Sequence, residues 1–333
     1  MSHLTHILLT GGVGSRLWPL SRQSRPKQYL DLFKGHSLFE LSVMRNSNYA
    51  DELIVVGNCE NQHLSVEALE KLKLEDYKSI IEATPRNTAP AIAFAAFAAQ
   101  AEDILLVTPA DHIIEDGEEY KKAIGSAVQL AAENFLVTFG VHPTKPETGY
   151  GYIEFKEDTV LSFREKPDKE TADKFLKTGN FLWNSGMFCF KAGIYLEELK
   201  KYSPEVYQRS LQAWEKAENG KLELETSLQI PAISVDYAVM EKSDKIKVVK
   251  ADFEWSDMGS FEAVYDYLKT QGQAVDENGN MQIGSKKFTA FAGLQNCILV
   301  ETEDANLVLA KEASQDVKQI YQELELNNPN LIN

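Results

Sequence analysis

Apolar residues in the first half of this chain gather in short runs, separated by longer segments of helical period. HILLT (6–10), ELIVVG (52–57), KSIIEA (78–83), DILLVTP (103–109) and FLVTFG (135–140) are rich in Val, Ile and Leu, as strands buried on both faces read. Helical spacing fills the segments near 37–46, 62–73, 88–101 and 117–133. This alternation predicts a mainly parallel sheet covered by helices on both sides. After residue 149 the rhythm changes. GYGYIEF (149–155), VLSFREK (160–166) and NSGMFCF (184–190) follow without long helices between them, so an antiparallel or mixed extension is expected. Helices are expected near 169–177, 192–202, 204–217 and 236–242, with Pro204 at a first helical position, where an N–H is not needed. A strand KIKVVKA (245–251) leads into WSDMGS and a helix at 260–269.

The polar, Gly-rich stretch QGQAVDENGNMQIGS (271–285) is the best boundary, dividing a domain 1–270 from a tail 271–333. In the tail, FTAFAGL, CILVETE and NLVLAKE are short β-like runs, followed by a helix over 314–326. A tail of this length is marginal as an independent fold, so it is expected to pack on the main domain or on another subunit.

Composition narrows the class. The chain is 44% hydrophobic and 25% charged, ordinary for a soluble globular protein. Its most apolar helix candidate, TAPAIAFAAFAAQA (88–101), is too short to span a bilayer. No basic segment followed by an apolar core opens the chain, so no secretory signal is expected and the cytoplasm is the default. Cys59, Cys189 and Cys297 are far apart and form no CxxC pair. They read as core thiols of a reducing compartment, not as a disulfide framework or zinc site.

Charge adds the first chemical clue. Against 34 basic residues stand 50 acidic ones, a net charge of −16, so long nucleic acid is repelled by most of the surface. Yet Arg16, Arg22, Arg25 and Lys27 crowd together directly after Gly11, Gly12 and Gly14, and no acidic residue precedes Asp31. A cationic pocket on an anionic body suits a polyanionic small molecule. The glycines do not form a dinucleotide fingerprint, because Leu17 stands at the third glycine and Pro19 opposes an immediate helix. No GK[ST] follows, which excludes a Walker loop.

The segment LTGGVGSRLWPLSRQSRPKQYL does supply in full the pattern GGxG[ST]RLxP[LS][ST] followed by PK. In it the chain resembles the sugar nucleotidyltransferases, and RLWPLSR resembles their mannose-1-phosphate guanylyltransferase branch. RNTAPAIA (86–93), TPADH (108–112), PTKPETGYGYIE (143–154), EKPD (165–168), FLWNSGMF (181–188), VDYAVMEK (235–242), WSDMGS (255–260) and SQDVK (314–318) continue the resemblance in order over nearly the whole chain. It departs at Thr10, where alanine is usual, at Ala83 for proline and at Glu254 for glycine, none of which removes a charged group the chemistry needs.

The resemblance implies a Rossmann-like, GT-A-like α/β fold: a mixed sheet flanked by helices, with a small β-helix-like tail that joins a homodimer. It implies transfer of GMP from GTP to α-D-mannose 1-phosphate with Mg2+, giving GDP-mannose and pyrophosphate. The alternatives are another sugar-1-phosphate nucleotidyltransferase, using UTP or dTTP with glucose 1-phosphate, or a non-catalytic nucleotide-sugar sensor. Some members carry a further isomerase domain; the chain stops soon after SQDVK, so none is expected here.

In such a reaction the attacking phosphate oxygen is already anionic and needs no general base, so positioning and cation placement dominate. By resemblance Arg16 and Lys27 hold the triphosphate. Asp111 follows the strand DILLVTP and Asp257 lies in a turn after KIKVVKA; together the two carboxylates suit Mg2+, and both are expected to reach one cleft. Backbone around Thr10, Gly11, Gly12, Gly14 and Ser15 is expected to approach the nucleotide closely. Glu82 is expected to accept the paired N–H donors on one edge of guanine, with Arg86, Asn87 and Thr88 supporting the nucleotide or capping the next helix. Arg22 and Arg25 are divided between pyrophosphate contact and a mobile charged rim. By analogy Tyr150, Gly151, Glu165 and Asn184 bind the sugar and Lys166 its phosphate. Trp183 reads as core packing, Asp236 as a helix cap and His112 as support for Asp111.

Overall fold

Near-continuous apolar strands are stable only where both faces are covered, and the sheet of this chain meets that demand. The computed structural model describes residues 3–33, 35–285 and 287–333. Among these the strands are β1 (Leu4–Leu9), β2 (Glu52–Asn58), β3 (Lys78–Glu82), β4 (Ile104–Pro109), β5 (Ile113–Ile114), β6 (Leu136–Val141), β7 (Tyr152–Lys156), β8 (Thr159–Arg164), β9 (Phe181–Lys191), β10 (Ile246–Ala251), β11 (Trp255–Ser256), β12 (Met281–Ile283), β13 (Cys297–Glu301) and β14 (Asn306–Ala310). Two units are distinguished. The first comprises the chain up to Gly11, Ser42–Ala110 and Ile114–Trp255; the second comprises Gly12–Leu41, Asp111–Ile113 and Ser256–Asn333.

The first unit holds a nine-stranded sheet of order β3-β2-β1-β4-β9-β6-β10-β8-β7. Its β3-β2-β1-β4 half is parallel. β9 is antiparallel to both β4 and β6, while β7 pairs antiparallel with β8 and β9. The expected mixed extension is therefore present where the long helices drop out. Alternate residues of β4 feed two cores: Leu105 and Val107 pack with the helix Thr88–Ala98, and Ile104 and Leu106 with the helix Glu118–Ala132. Alanine dominates the buried face of Thr88–Ala98, and its short side chain lets a helix approach a sheet closely.

In the second unit β12 pairs parallel with β13 and β13 antiparallel with β14. These strands share one core with the helices Phe261–Thr270 and Val317–Asn327 and with Leu17, Trp18 and Phe33 of the glycine-loop segment. The boundary read at 270/271 thus lies inside this unit, because apolar residues far apart in sequence bury one another.

Two expectations are corrected. FTAFAGL forms no strand, and its Phe288 is 94% exposed; the third strand of the tail is instead Met281–Ile283, with Met281 and Ile283 buried. That alternation of three residues was hidden inside a polar run. Cys189 and Cys297 are buried thiols as expected, but Cys59 is exposed, because it lies beyond the end of β2 rather than within it.

Candidate functional site

In the second unit the glycine loop and Lys27 are built around each other. Gly12 and Gly14 have φ of 93° and 78°, left-handed values that disfavour side chains. A Cβ on Gly14 would lie 2.5 Å from the Lys27 Cβ, so only glycine lets the lysine stem pass. The Lys27 N–H donates to the Val13 carbonyl at 3.1 Å, and the Ser21 hydroxyl donates to the Gly14 carbonyl at 2.7 Å. The short turns Ser15–Leu17 and Lys27–Tyr29 flank this crossing.

Lys27 is buried, and its ammonium reaches Asp111 Oδ2 at 2.9 Å and the Asp257 carbonyl at 2.7 Å. One cation thus gathers both aspartates expected to hold metal. Burial alone would raise the Asp111 pKa, but Lys27 and then His112, with Nε2 3.5 Å from Oδ1, outweigh it and hold the carboxyl below its usual value. The Asp257 carboxylate curls back over Gly259, whose N–H donates to Oδ1 at 3.0 Å and whose Cβ, if present, would sit 2.3 Å from Oδ2.

The arginines separate by role. Arg16 is partly buried, and its guanidinium makes no hydrogen bond or ion pair among the described residues. Arg22 pairs with Asp304 at 2.6 Å and is mostly buried, whereas Arg25 pairs with Asp31 at 2.7 Å at an exposed position.

The donor set at Asp111 and Asp257 is oxygen only. No group of three or more His, Cys, Asp or Glu is placed for a metal among the described residues. Two carboxylates fit a hard divalent cation that completes its shell with water and phosphate oxygens.

The first unit carries the residues expected to read base and sugar. Thr10 is buried, with its hydroxyl donating to the Val56 carbonyl at 3.1 Å, so that group serves the sheet. Exposed Gly11 follows it. Glu82, at the end of β3, is only 7% exposed, and its Oε1 has no hydrogen-bond partner among the described residues. Burial pushes its pKa up to about 7 against partial relief from the Arg86 N–H. The Arg86 side chain donates through Nε to the Ile230 carbonyl at 2.6 Å. Asn87, with φ of 71°, caps the helix Thr88–Ala98 by accepting the Thr88 N–H at 2.8 Å. The Thr88 hydroxyl accepts the Val235 N–H at 2.9 Å. Capping is therefore present at Asn87, and Thr88 ties the helix start to the 230s segment.

The sugar candidates also converge. Gly151 accepts the Asn184 N–H at 2.8 Å, and a Cβ on Gly151 would lie 2.8 Å from Glu165 Oε2. Lys166 Nζ lies 3.0 Å from Glu165 Oε1. Tyr150 packs edge-on against Trp183 and Trp255, each at 5.2 Å between ring centroids, and Trp183 is buried as expected. The Asn184 amide is oriented at both ends: its Oδ1 accepts the Gly186 N–H at 3.2 Å and its Nδ2 donates to Asp236 Oδ1 at 2.9 Å. Asp236 is not the cap of its helical turn, contrary to expectation: Val235 holds the cap position, Asp236 is the first residue of the turn, and its carboxylate accepts from Asn184. Burial, then the Glu165 charge, raises its pKa. Sequence reading missed Gly186 and Gly259 as holders of Asn184 and Asp257. The only signal was a glycine two residues beyond each polar group, in NSG and DMG.

Comparison with known proteins bears on both the fold and the chemistry. The nucleotidyl transferase family profile matches residues 5–273, and the profile of the MannoseP isomerase/GMP-like beta-helix domain matches residues 273–324. The xanthan biosynthesis protein XanB of Xanthomonas campestris pv. campestris is 40% identical over 98% of this chain and 74% of its own length. A mannose-1-phosphate guanylyltransferase of Escherichia coli is 40% identical over 97% of this chain and 74% of its own. A crystal structure from Thermus thermophilus, described as a mannose-1-phosphate geranyltransferase, superposes with a TM-score of 0.84 at 27% identity, covering 97% of this chain and 99% of that one. The α/β fold with a mixed sheet and a β-helix-type tail is thus shared along the whole length, and the chain belongs to the nucleotidyl transferase family.

Proposed function

We propose that this chain is a mannose-1-phosphate guanylyltransferase, taking GTP and α-D-mannose 1-phosphate to GDP-mannose and pyrophosphate. The observation that carries the reading is the buried Lys27 ammonium, held by Asp111 and the Asp257 carbonyl beside a glycine loop whose Arg16 has no partner among the described residues. The relatives at about 40% identity support the choice of substrates.

The sugar phosphate oxygen attacks the α-phosphorus of GTP. A new P–O bond forms there, the bond to the bridging oxygen of the β-phosphate breaks, and pyrophosphate leaves with that electron pair. No proton must be removed from the nucleophile, which explains why no Ser–His or Cys–His arrangement is required. Arg16 and Lys27 neutralise the phosphates in the transition state and hold them for in-line displacement. Asp111 and Asp257 would hold Mg2+, which neutralises phosphate oxygen charge as a Lewis acid. Backbone N–H groups at Gly11, Gly12, Gly14 and Ser15 line the phosphates. Glu82 accepts the guanine N–H pair with its carboxylate, while Arg86, Asn87 and Thr88 fix the segment behind it. Tyr150, Gly151, Glu165 and Asn184 bind mannose, whose hydroxyls replace water on groups already oriented by the protein; Lys166 meets the sugar phosphate. The tail joins two copies into a homodimer. No helix among the described residues is long and apolar enough to cross a membrane, and the enzyme works in the cytoplasm, where GTP is made.

A pyrophosphate-release assay crossing GTP, ATP, UTP and dTTP with mannose and glucose 1-phosphates tests this. The GTP and mannose 1-phosphate pair should turn over fastest. Preference for UTP or dTTP with glucose 1-phosphate would overturn the substrate assignment. Tight GDP-mannose binding without pyrophosphate release would make the protein a sensor.

A further inference from the structure

Arg22 is the one signature-loop arginine that is both buried and directed at the tail. Its Nη2 bonds Asp304 Oδ1 at 2.6 Å, and Thr302 Oγ1, itself bonded to Asp304, lies 3.5 Å from the same nitrogen. Its Nε donates to the Pro19 carbonyl at 3.0 Å, and the guanidinium lies 5.7 Å from the centre of the Trp18 ring. The backbone N–H groups of Arg22 and Arg25 each donate to the other's carbonyl, closing the turn that delivers Lys27. Just before it, Ser21 holds the Gly14 carbonyl. The terminal segment grips the same stretch: Trp18 Nε1 donates to the Leu331 carbonyl at 2.7 Å and the Gln23 N–H to the Ile332 carbonyl at 2.8 Å.

We propose that the tail is a positioning device for the phosphate-handling loop, and that Arg22, locked to Asp304, is a positioning residue for Arg16 and Lys27. The inference deepens the guanylyltransferase reading and rests on it for its kinetic arm. Arg22 acts through its engaged nitrogens: Nη2 is taken by the tail and Nε by Pro19, while Nη1 is buried without a hydrogen-bond partner among the described residues. What it controls is the spacing of Gly14 and Lys27 on either side of the turn. A cation displaced by about an ångström from a transferring phosphoryl group loses rate by up to about a hundredfold. Asp304 supplies a clean perturbation. Its side chain is 51% exposed, so removing its charge perturbs stability little, while an effect on catalysis travels through the two groups its Oδ1 holds, Arg22 and the Thr302 hydroxyl, and the double variant with Arg22→Met separates them.

The test compares wild type, Asp304→Asn, Arg22→Met, Arg22→Lys and the Asp304→Asn/Arg22→Met double variant. Steady-state pyrophosphate release is measured against each substrate, with thermal melts and hydrogen exchange of peptides covering residues 12–29. The expected result for Asp304→Asn is a fall in kcat of about tenfold or more, with KM for mannose 1-phosphate within twofold and the melting temperature nearly unchanged. Exchange in 12–29 should rise. Arg22→Met should match it, the double variant should add nothing further, and Arg22→Lys should recover part of the rate. Wild-type kcat and wild-type exchange in Asp304→Asn would overturn the proposal, even if Arg22→Met failed to fold. An equal loss for both substrates that tracks the melting temperature would also overturn it. Wild-type enzyme inert with GTP would sink the guanylyltransferase reading instead, leaving the exchange arm to decide whether Asp304 orders the loop.

Discussion

Glu82→Gln separates the energetic burden of the proposed base-reading carboxylate from its use. In the free protein, burial lifts the Glu82 pKa from an ordinary 4.5 to about 7. The folded state therefore holds a proton that the unfolded chain has lost across that window. Stability contributed by the neutral acid is fully present below about pH 4.5 and disappears as pH rises through about 7. A shift of this size corresponds to about 3 kcal/mol. Glutamine keeps the shape and cannot ionise, so the variant should gain on wild type by about 3 kcal/mol between pH 4.5 and 8. Urea unfolding of both proteins at half-unit pH steps measures this difference. Stability curves that run parallel over the whole range would refute the claim that Glu82 is held buried and unsatisfied. The same variant should lose its preference for GTP over ATP and dTTP. In wild type, GTP affinity should rise about tenfold per pH unit below 7 and level off above it, because guanine selects the ionised form.

Three further outcomes follow from the contacts around the site. Gly14→Ala forces a Cβ into the Lys27 stem at a left-handed backbone position, and should cost about 1–3 kcal/mol in stability by urea unfolding together with most of the activity. Lys27→Met should lower kcat by at least about a hundredfold. Because the depressed Asp111 pKa depends on that ammonium, wild type should lose more stability than Lys27→Met as pH falls below the ordinary aspartate value; acid limbs of equal depth would contradict the pairing. Asn184→Ala should raise KM for mannose 1-phosphate about tenfold while KM for GTP stays within twofold; an effect on GTP alone would remove Asn184 from the sugar set.

Strand periods were legible because burial on both faces leaves an unbroken apolar run; β1 to β4 fall within a residue or two of their expected bounds. The glycine–cation segment was legible for a different reason: few residue types satisfy positive φ and phosphate charge together. What stayed hidden depended on contacts distant in sequence. Nothing local distinguishes Arg22, which pairs 282 positions away, from Arg16, which pairs with nothing described. Nor could spacing reveal that Lys27 takes the backbone carbonyl of Asp257 rather than its carboxylate. Cys59 misled because a thiol beside an apolar strand reads as interior, and one residue past the strand end is enough to expose it.

The shared core of residues 12–41 and 256–333 bears on recombination between relatives. A chimaera joined at 270 would graft foreign strands onto native Leu17, Trp18 and Phe33, mismatching a jigsaw assembled from both ends of the gene product. Exchanging residues 12–41 along with residues 256–333 keeps matched pieces together, and libraries cut at those seams should yield more active clones than libraries cut at the apparent linker.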